Sequence, residues 1–145
     1  AKLSLVQVMG ADEVINYRAT PDWHRRVKEI TGGTGCDRVV ELGGAQTLEK
    51  SLRAVRIGGK VILVGTVSGA RAEVNLPLIL SRNITVHAPC VGSAQAFARM
   101  NAALEQSRIE PVIDRVFEFD EAPAAIAQLR AGGHMGKICV AIGGA

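Results

Sequence analysis

Apolar, β-branched runs recur along the chain at Glu13–Tyr17, Arg38–Leu42, Lys60–Val64, Ile84–Cys90, Arg115–Phe119 and Lys137–Ile142. Most are short and apolar on both sides, which predicts strands of a parallel sheet covered on both faces. Between them the spacing turns helical. Trp23, Val27 and Ile30 fall at i, i+4 and i+7, as do Leu48, Leu52 and Val55. Phe97, Met100 and Leu104 predict another helix, and Ala122, Ile126 and Leu129 a further one. Thr20 before Pro21 reads as an N-cap with proline at the first helical position. Gly32-Gly33, Gly58-Gly59 and Gly132-Gly133 read as helix C-terminal punctuation.

Strand and helix alternate from residue 13 to about 108, which predicts an α/β layer fold with right-handed crossovers. After Pro111 the rhythm becomes strand, helix, strand, as of a tail belonging to a different sheet. Leu3, Val6 and Met9 read as the last turns of a helix. A doubly wound domain opens on a strand and a phosphate-binding turn, so the chain is expected to start in the middle of such a fold.

Composition narrows the classes. The chain has 145 residues, 48% of them hydrophobic and 21% charged, the balance of an ordinary globular domain. No apolar run has the length of a membrane span and no signal peptide opens the chain, so the expected compartment is the cytoplasm. The net charge is +3, with a small basic cluster at His24, Arg25, Arg26 and Lys28. Aromatics are 3%, too few for a single-strand stacking platform, and the cluster reads as a solvated helix face; no nucleic-acid partner is expected. Cys36, Cys90 and Cys139 are far apart, with neither zinc-ligand nor redox spacing, and Cys36 and Cys139 read as small core hydrophobes.

No complete catalytic motif is present. Gly33-Thr34-Gly35 begins a phosphate-cradle pattern, but it ends on Arg38 and precedes a strand, so it reads as a turn. In Gly65-Thr66-Val67-Ser68-Gly69 the serine stands one position late for a nucleophile elbow. His24, His87 and His134 lie on different elements. Glu41, at a strand end, reads equally as structural or catalytic. Strand C-terminal ends are where open α/β sheets bind ligands. They are Leu42-Gly43-Gly44, Val64-Gly65-Thr66 and Ala88-Pro89-Cys90. Glycine there either lets a ligand approach the backbone or simply permits the turn.

An ordered set of segments resembles the medium-chain dehydrogenases and reductases, the alcohol dehydrogenases and quinone oxidoreductases. Gly10 to Arg18 resembles their linker and third strand. Gly35-Cys-Asp-Arg-Val-Val-Glu-Leu-Gly-Gly44 resembles their fourth strand, and Leu48 to Gly65 their fourth helix and fifth strand. Asp120-Glu-Ala-Pro-Ala-Ala-Ile126 and His134-Met-Gly-Lys-Ile138 resemble their return to the catalytic domain. The resemblance implies α/β architecture: a partial Rossmann-like, doubly wound parallel sheet plus a strand-helix-strand tail. It makes residues 1–108 the C-terminal portion of a dinucleotide-binding domain and 109–145 a C-terminal segment of the catalytic domain.

The activity implied is hydride transfer between a nicotinamide and an alcohol or carbonyl carbon. The parent's cofactor would be NAD or NADP, with zinc as Lewis acid in some members. By position, Tyr17 lies near the adenosine, Leu42 and Gly43 flank adenine and ribose, and Val64, Gly65, Ala88 and Cys90 hold the carboxamide. Lys137 approaches the pyrophosphate. The family's glycine-rich turn, its first two strands, the residue that chooses NAD or NADP, the zinc ligands and the proton relay have no counterpart in this sequence. Three expectations follow: no zinc bound by this chain, weak cofactor binding with no activity alone, and a homodimer through Arg82–Val91. Two other readings stay open. One is a non-enzymatic interaction module. The other is a methyltransferase-like domain, which shares a late Gly58-to-Val64 type of strand, although the helix–strand–helix run over 93–131 argues against it.

Overall fold

The computed structural model describes residues 2–143 and divides into two compact units, residues 3–91 and 92–143. The division falls earlier than the boundary near 108 that the sequence rhythm suggests. The helix built on Phe97, Met100 and Leu104 lies with the second unit. None of the described helices is long and apolar enough to cross a membrane.

The first unit begins with α1 (Lys2–Val8) and α2 (Trp23–Ile30). Strand β1 (Cys36–Glu41), helix α3 (Leu48–Ala54) and strand β2 (Val55–Leu63) follow, then α4 (Leu76–Ser81) and β3 (Thr85–His87). The strands form one parallel sheet in the order β1-β2-β3. Its core is Leu52, Val55, Val61 and Ile84, all buried, with Val39, Leu48, Val74, Leu78 and Ile79 packed around them. The helical spacing of Leu48 and Leu52 and the β-branched run at Val61 therefore meet in one cluster, as an amphipathic helix laid on a sheet requires.

Four local expectations are corrected. Glu13–Tyr17 is no strand: a strand exists only where a ladder partner pairs with it, and no described strand does. Asn16 instead turns the chain, its carbonyl accepting from Ala19 and Thr20 N–H. α2 starts at Trp23 with Asp22 at the N-cap, so Thr20-Pro21 lies in the turn before it. β3 stops at His87, short of Cys90, because Pro89 has no N–H and disfavours regular pairing around it. Gly58-Gly59 ends no helix but lies inside β2.

That glycine pair has a structural reason. Cys36 pairs with Val55 and Arg38 with Lys60, so the residues between Val55 and Lys60 bulge away from the ladder. Gly58 takes φ +69° there, and a Cβ on Gly59 would stand 3.0 Å from the Asp37 carbonyl. A side chain at Gly59 would meet backbone.

The second unit contains α5 (Ala94–Gln106), β4 (Ile113–Phe117), a short 3-10 turn (Phe119–Glu121), α6 (Ala122–Ala131) and β5 (Lys137–Val140). β4 and β5 pair in parallel. Ser93 caps α5, accepting from the Ala96 N–H at 3.2 Å. Glu118 and Glu121 form a reciprocal capping box at the start of the 3-10 turn that leads into α6. Gly132, at φ +68°, ends α6 in the left-handed conformation that glycine adopts without a Cβ penalty. Phe117 and Ala125 are buried.

Candidate functional site

Parallel strands carry their carboxyl ends to the same edge of a sheet, so the segments that follow β1 and β2, residues 42–47 and 64–69, lie side by side. A cleft of about 610 Å3 opens there in the first unit. Tyr17, Trp23 and Leu42 give it apolar and aromatic walls, while Gly43, Thr47 and Ser68 supply polar atoms. Tyr17 and Leu42 are exposed, 62% and 56%, large apolar surfaces a ligand could cover.

Beneath the cleft sits a buried carboxylate. Glu41 is 3% exposed. Its Oε1 accepts from the N–H of Gly43 at 2.6 Å, the N–H of Gly44 at 2.9 Å and the Thr47 hydroxyl at 2.5 Å. Its Oε2 accepts from the Ser51 hydroxyl. Burial pushes this carboxyl up, but the bonds from Ser51, Thr47, Gly44 and Gly43 outweigh it and hold the group below the usual glutamate range. Glu41 is thus an ionised anion bonded by four donors at the start of α3, where the helix dipole also favours negative charge. It anchors the loop through both of its oxygens.

The two loops are stitched together above Glu41. The Val64 and Gly65 N–H groups donate to the Glu41 carbonyl at 2.8 and 3.2 Å. Val67 N–H donates to the Leu42 carbonyl and Ser68 N–H to the Gly43 carbonyl, at 3.2 and 2.7 Å. Ala45 N–H donates to the Gly69 carbonyl at 3.1 Å. Glycine permits this approach. A Cβ on Gly65 would lie 2.7 Å from the Leu42 carbonyl oxygen, and one on Gly44 2.7 Å from that of Gly69.

Residues 9–140 match the family model described as zinc-binding dehydrogenase. The chain belongs to the zinc-binding dehydrogenase family. It is 34% identical, over 97% of its length, to a zinc-type alcohol dehydrogenase-like protein of Schizosaccharomyces pombe, and spans 42% of that protein. Among solved structures it is similar to an NAD-dependent alcohol dehydrogenase, with TM-score 0.86 and 27% identity, covering 98% of this chain and 41% of that one. It is also similar to a quinone oxidoreductase of Pseudomonas syringae pv. Tomato DC3000, with TM-score 0.78 and 26% identity, covering 97% and 46%. This zinc-binding dehydrogenase chain therefore spans less than half the length of these relatives. Its parallel α/β architecture is theirs.

The structure brings some of the sequence-predicted site residues together. Tyr17, Leu42 and Gly43 line the cleft. Val64 and Gly65 stand at the end of β2, one loop away, with both N–H groups already given to Glu41, so only their carbonyls are left to meet a carboxamide. Ala88 and Cys90 follow β3 and are exposed. Lys137 opens β5 in the second unit and is exposed. Sequence reasoning left Glu41 undecided and missed Thr47, Ser51 and Ser68. A signal was there: Thr47 and Ser51 are one helical turn apart at the start of α3, so their hydroxyls share the face that meets a carboxylate at the preceding strand end.

The cleft fits a nucleoside and not a diphosphate. Its walls offer aromatic and aliphatic surface beside hydroxyl and amide groups, and Glu41 is the only charged residue lining it. A pyrophosphate needs cations or a row of free N–H groups. The Gly43, Gly44, Ala45 and Gln46 N–H groups are all engaged within the chain. Zinc does not fit either, since among the described residues no three His, Cys, Asp or Glu side chains converge.

Proposed function

We propose that this chain forms the rear part of the nucleotide site of a cytoplasmic NAD(P)-dependent oxidoreductase of the alcohol dehydrogenase and quinone reductase type, and that it is inactive alone. The observation that carries this reading is the cleft at the carboxyl ends of β1 and β2, where Tyr17, Leu42 and Gly43 meet. The names of the relatives, an NAD-dependent alcohol dehydrogenase and a quinone oxidoreductase among them, point the same way. In the intact parent the nicotinamide supplies or accepts the hydride. This chain's share is to bind and orient. Tyr17 and Leu42 cover the adenine, and Gly43 lets the ribose approach. The carbonyls of Val64 and Gly65 accept from the carboxamide, while Ala88 and Cys90 bound its far side. Any zinc of the parent is held by residues that have no counterpart here.

Titration of the chain with AMP, NAD and NADP, followed by amide chemical shifts, tests this. All three should perturb Tyr17, Leu42 and Gly43 with weak affinity, because this chain's cleft adds no cradle for the diphosphate, and NAD and NADP should also perturb Val64 and Gly65. Each missing charged hydrogen bond removes about 1.5–3 kcal/mol. Micromolar NAD binding would overturn the expectation.

We also propose that β3 pairs with a second copy of this chain. β3 is the edge of its sheet, with Thr85, Val86 and His87 all exposed. The preceding α4 exposes Leu76 and Leu80, 63% and 79%.

A further inference from the structure

Ser68 stands at the junction of the two loops that shape the cleft. Its hydroxyl donates to the Gly43 carbonyl at 2.7 Å and accepts from the Gln46 N–H at 3.0 Å. One side chain thus holds both ends of the segment 43–46. From below, Glu41 holds the Gly43 and Gly44 N–H groups of the same segment. Remove the hydroxyl and the Gln46 N–H loses its partner. The Gly43 carbonyl keeps only the Ser68 N–H. Gly43 and Gln46 both line the cleft, as does Ser68.

We propose that Ser68 is a positioning residue for nucleotide binding, fixing the height of the 43–46 segment so that Leu42 and Gly43 form one wall of the adenosine cleft. This rests on the nucleotide reading above. The segment depends on such a fastening: Gly43 and Gly44 give it the least restricted backbone of any residue type. Apart from Glu41, which acts through N–H groups, and the Thr47 and Leu48 N–H groups that donate to the Gly44 carbonyl, the segment's ties run to the second loop, and Ser68 supplies three of them through its N–H and its hydroxyl. A hydroxyl suits this post because it donates and accepts at once, whereas a carboxylate or an amine does only one. Pre-set walls improve affinity by removing the ordering a loop would otherwise undergo on binding.

The full 145-residue chain, labelled with 15N, provides two readouts in the same tube. Amide hydrogen exchange in the ligand-free protein reports the fastening itself, and titration with AMP reports its use. In Ser68→Ala the Gln46 and Ala45 amides should exchange on the order of ten-fold faster, while those of Val61 and Leu52 in the core hold their rates. AMP affinity should fall about five-fold, the worth of one neutral hydrogen bond. Ser68→Thr keeps the hydroxyl and should restore both. Unchanged Gln46 exchange in Ser68→Ala would overturn the proposal. So would faster exchange with unaltered AMP affinity, which would leave the nucleotide reading standing and Ser68 as a structural tie only. If AMP perturbs no residue of the cleft in the wild-type chain, the nucleotide reading fails and the positioning role fails with it.

Discussion

Glu41 shows how a single residue is decided by its surroundings. A carboxylate at a strand end can serve catalysis or structure, and the sequence weighs the two equally. Four donors from Gly43, Gly44, Thr47 and Ser51 decide for structure, since a carboxylate 3% exposed and bonded through both oxygens is committed to holding its own loop. Glu41→Ala strands the Gly43 and Gly44 N–H groups and two hydroxyls, and should lower stability by about 3 kcal/mol in urea unfolding. The pH dependence has a definite sign. The folded carboxyl titrates below its unfolded value of about 4.3, so its contribution is complete above that pH and is lost as pH falls through the lower folded value. Urea midpoints measured between pH 7 and pH 3 should fall in the wild type over the acid end of that range. They should fall less steeply in Glu41→Gln, and parallel curves would remove the ionised carboxylate from the account.

Helix α3 carries the same logic to the scale of an element. It runs into β2 without a connecting loop, since Val55 is both its C-cap and the first residue of the strand. A glycine C-cap is therefore absent and the last carbonyls need other partners. Arg82, at the end of α4, supplies them: its guanidinium donates to the Leu52 carbonyl at 2.8 Å and to that of Val55. Lys28 reaches the Val55 carbonyl from α2 at 3.5 Å. α3 thus has Glu41 at its positive end and two cations at its negative end, the arrangement its dipole favours. Arg82→Met keeps most of the stem's packing and removes the charge, and should cost about 2 kcal/mol of stability by thermal unfolding. A loss under about 0.5 kcal/mol would mean water replaces the guanidinium at no penalty. Helical spacing locates α3 but not its end, because Val55 continues the i, i+4, i+7 pattern. The end is set by an arginine distant in sequence, which periodicity does not register. Glu13–Tyr17 fails for the complementary reason. Its residue types suit a strand, but a strand is a property of a pair, and the described residues include no partner. The turn at Gly33-Thr34-Gly35 was legible from local rules, although a distant segment also requires its last glycine. Gly35 takes φ +94°, and a Cβ there would stand 2.4 Å from the Ala54 carbonyl oxygen.

At the scale of the molecule, the family was legible from ordered short segments, while most of the site was not, because its ties run between loops rather than along them. The same scale decides the edge of the sheet. Val86, Leu76 and Leu80 are exposed apolar side chains around β3, whose outer backbone groups face no described strand. An unpaired edge beside apolar surface is a template for strand pairing, and a two-fold axis lets one edge satisfy its own copy. The proposed dimer makes a specific prediction. Successive N–H groups along a strand point to opposite sides, so of Val86 and His87 one directs its N–H toward β2 and the other toward the free edge. Proline at the inward position breaks the chain's own sheet. At the outward position proline is tolerated by the monomer and forbids pairing with a second copy. Val86→Pro and His87→Pro should therefore separate: one variant melts well below the wild type, and the other melts close to it but sediments as a monomer where the wild type sediments as a dimer. If the wild-type chain is itself monomeric at high concentration, or if the variant that keeps its melting temperature remains dimeric, β3 is not the contact.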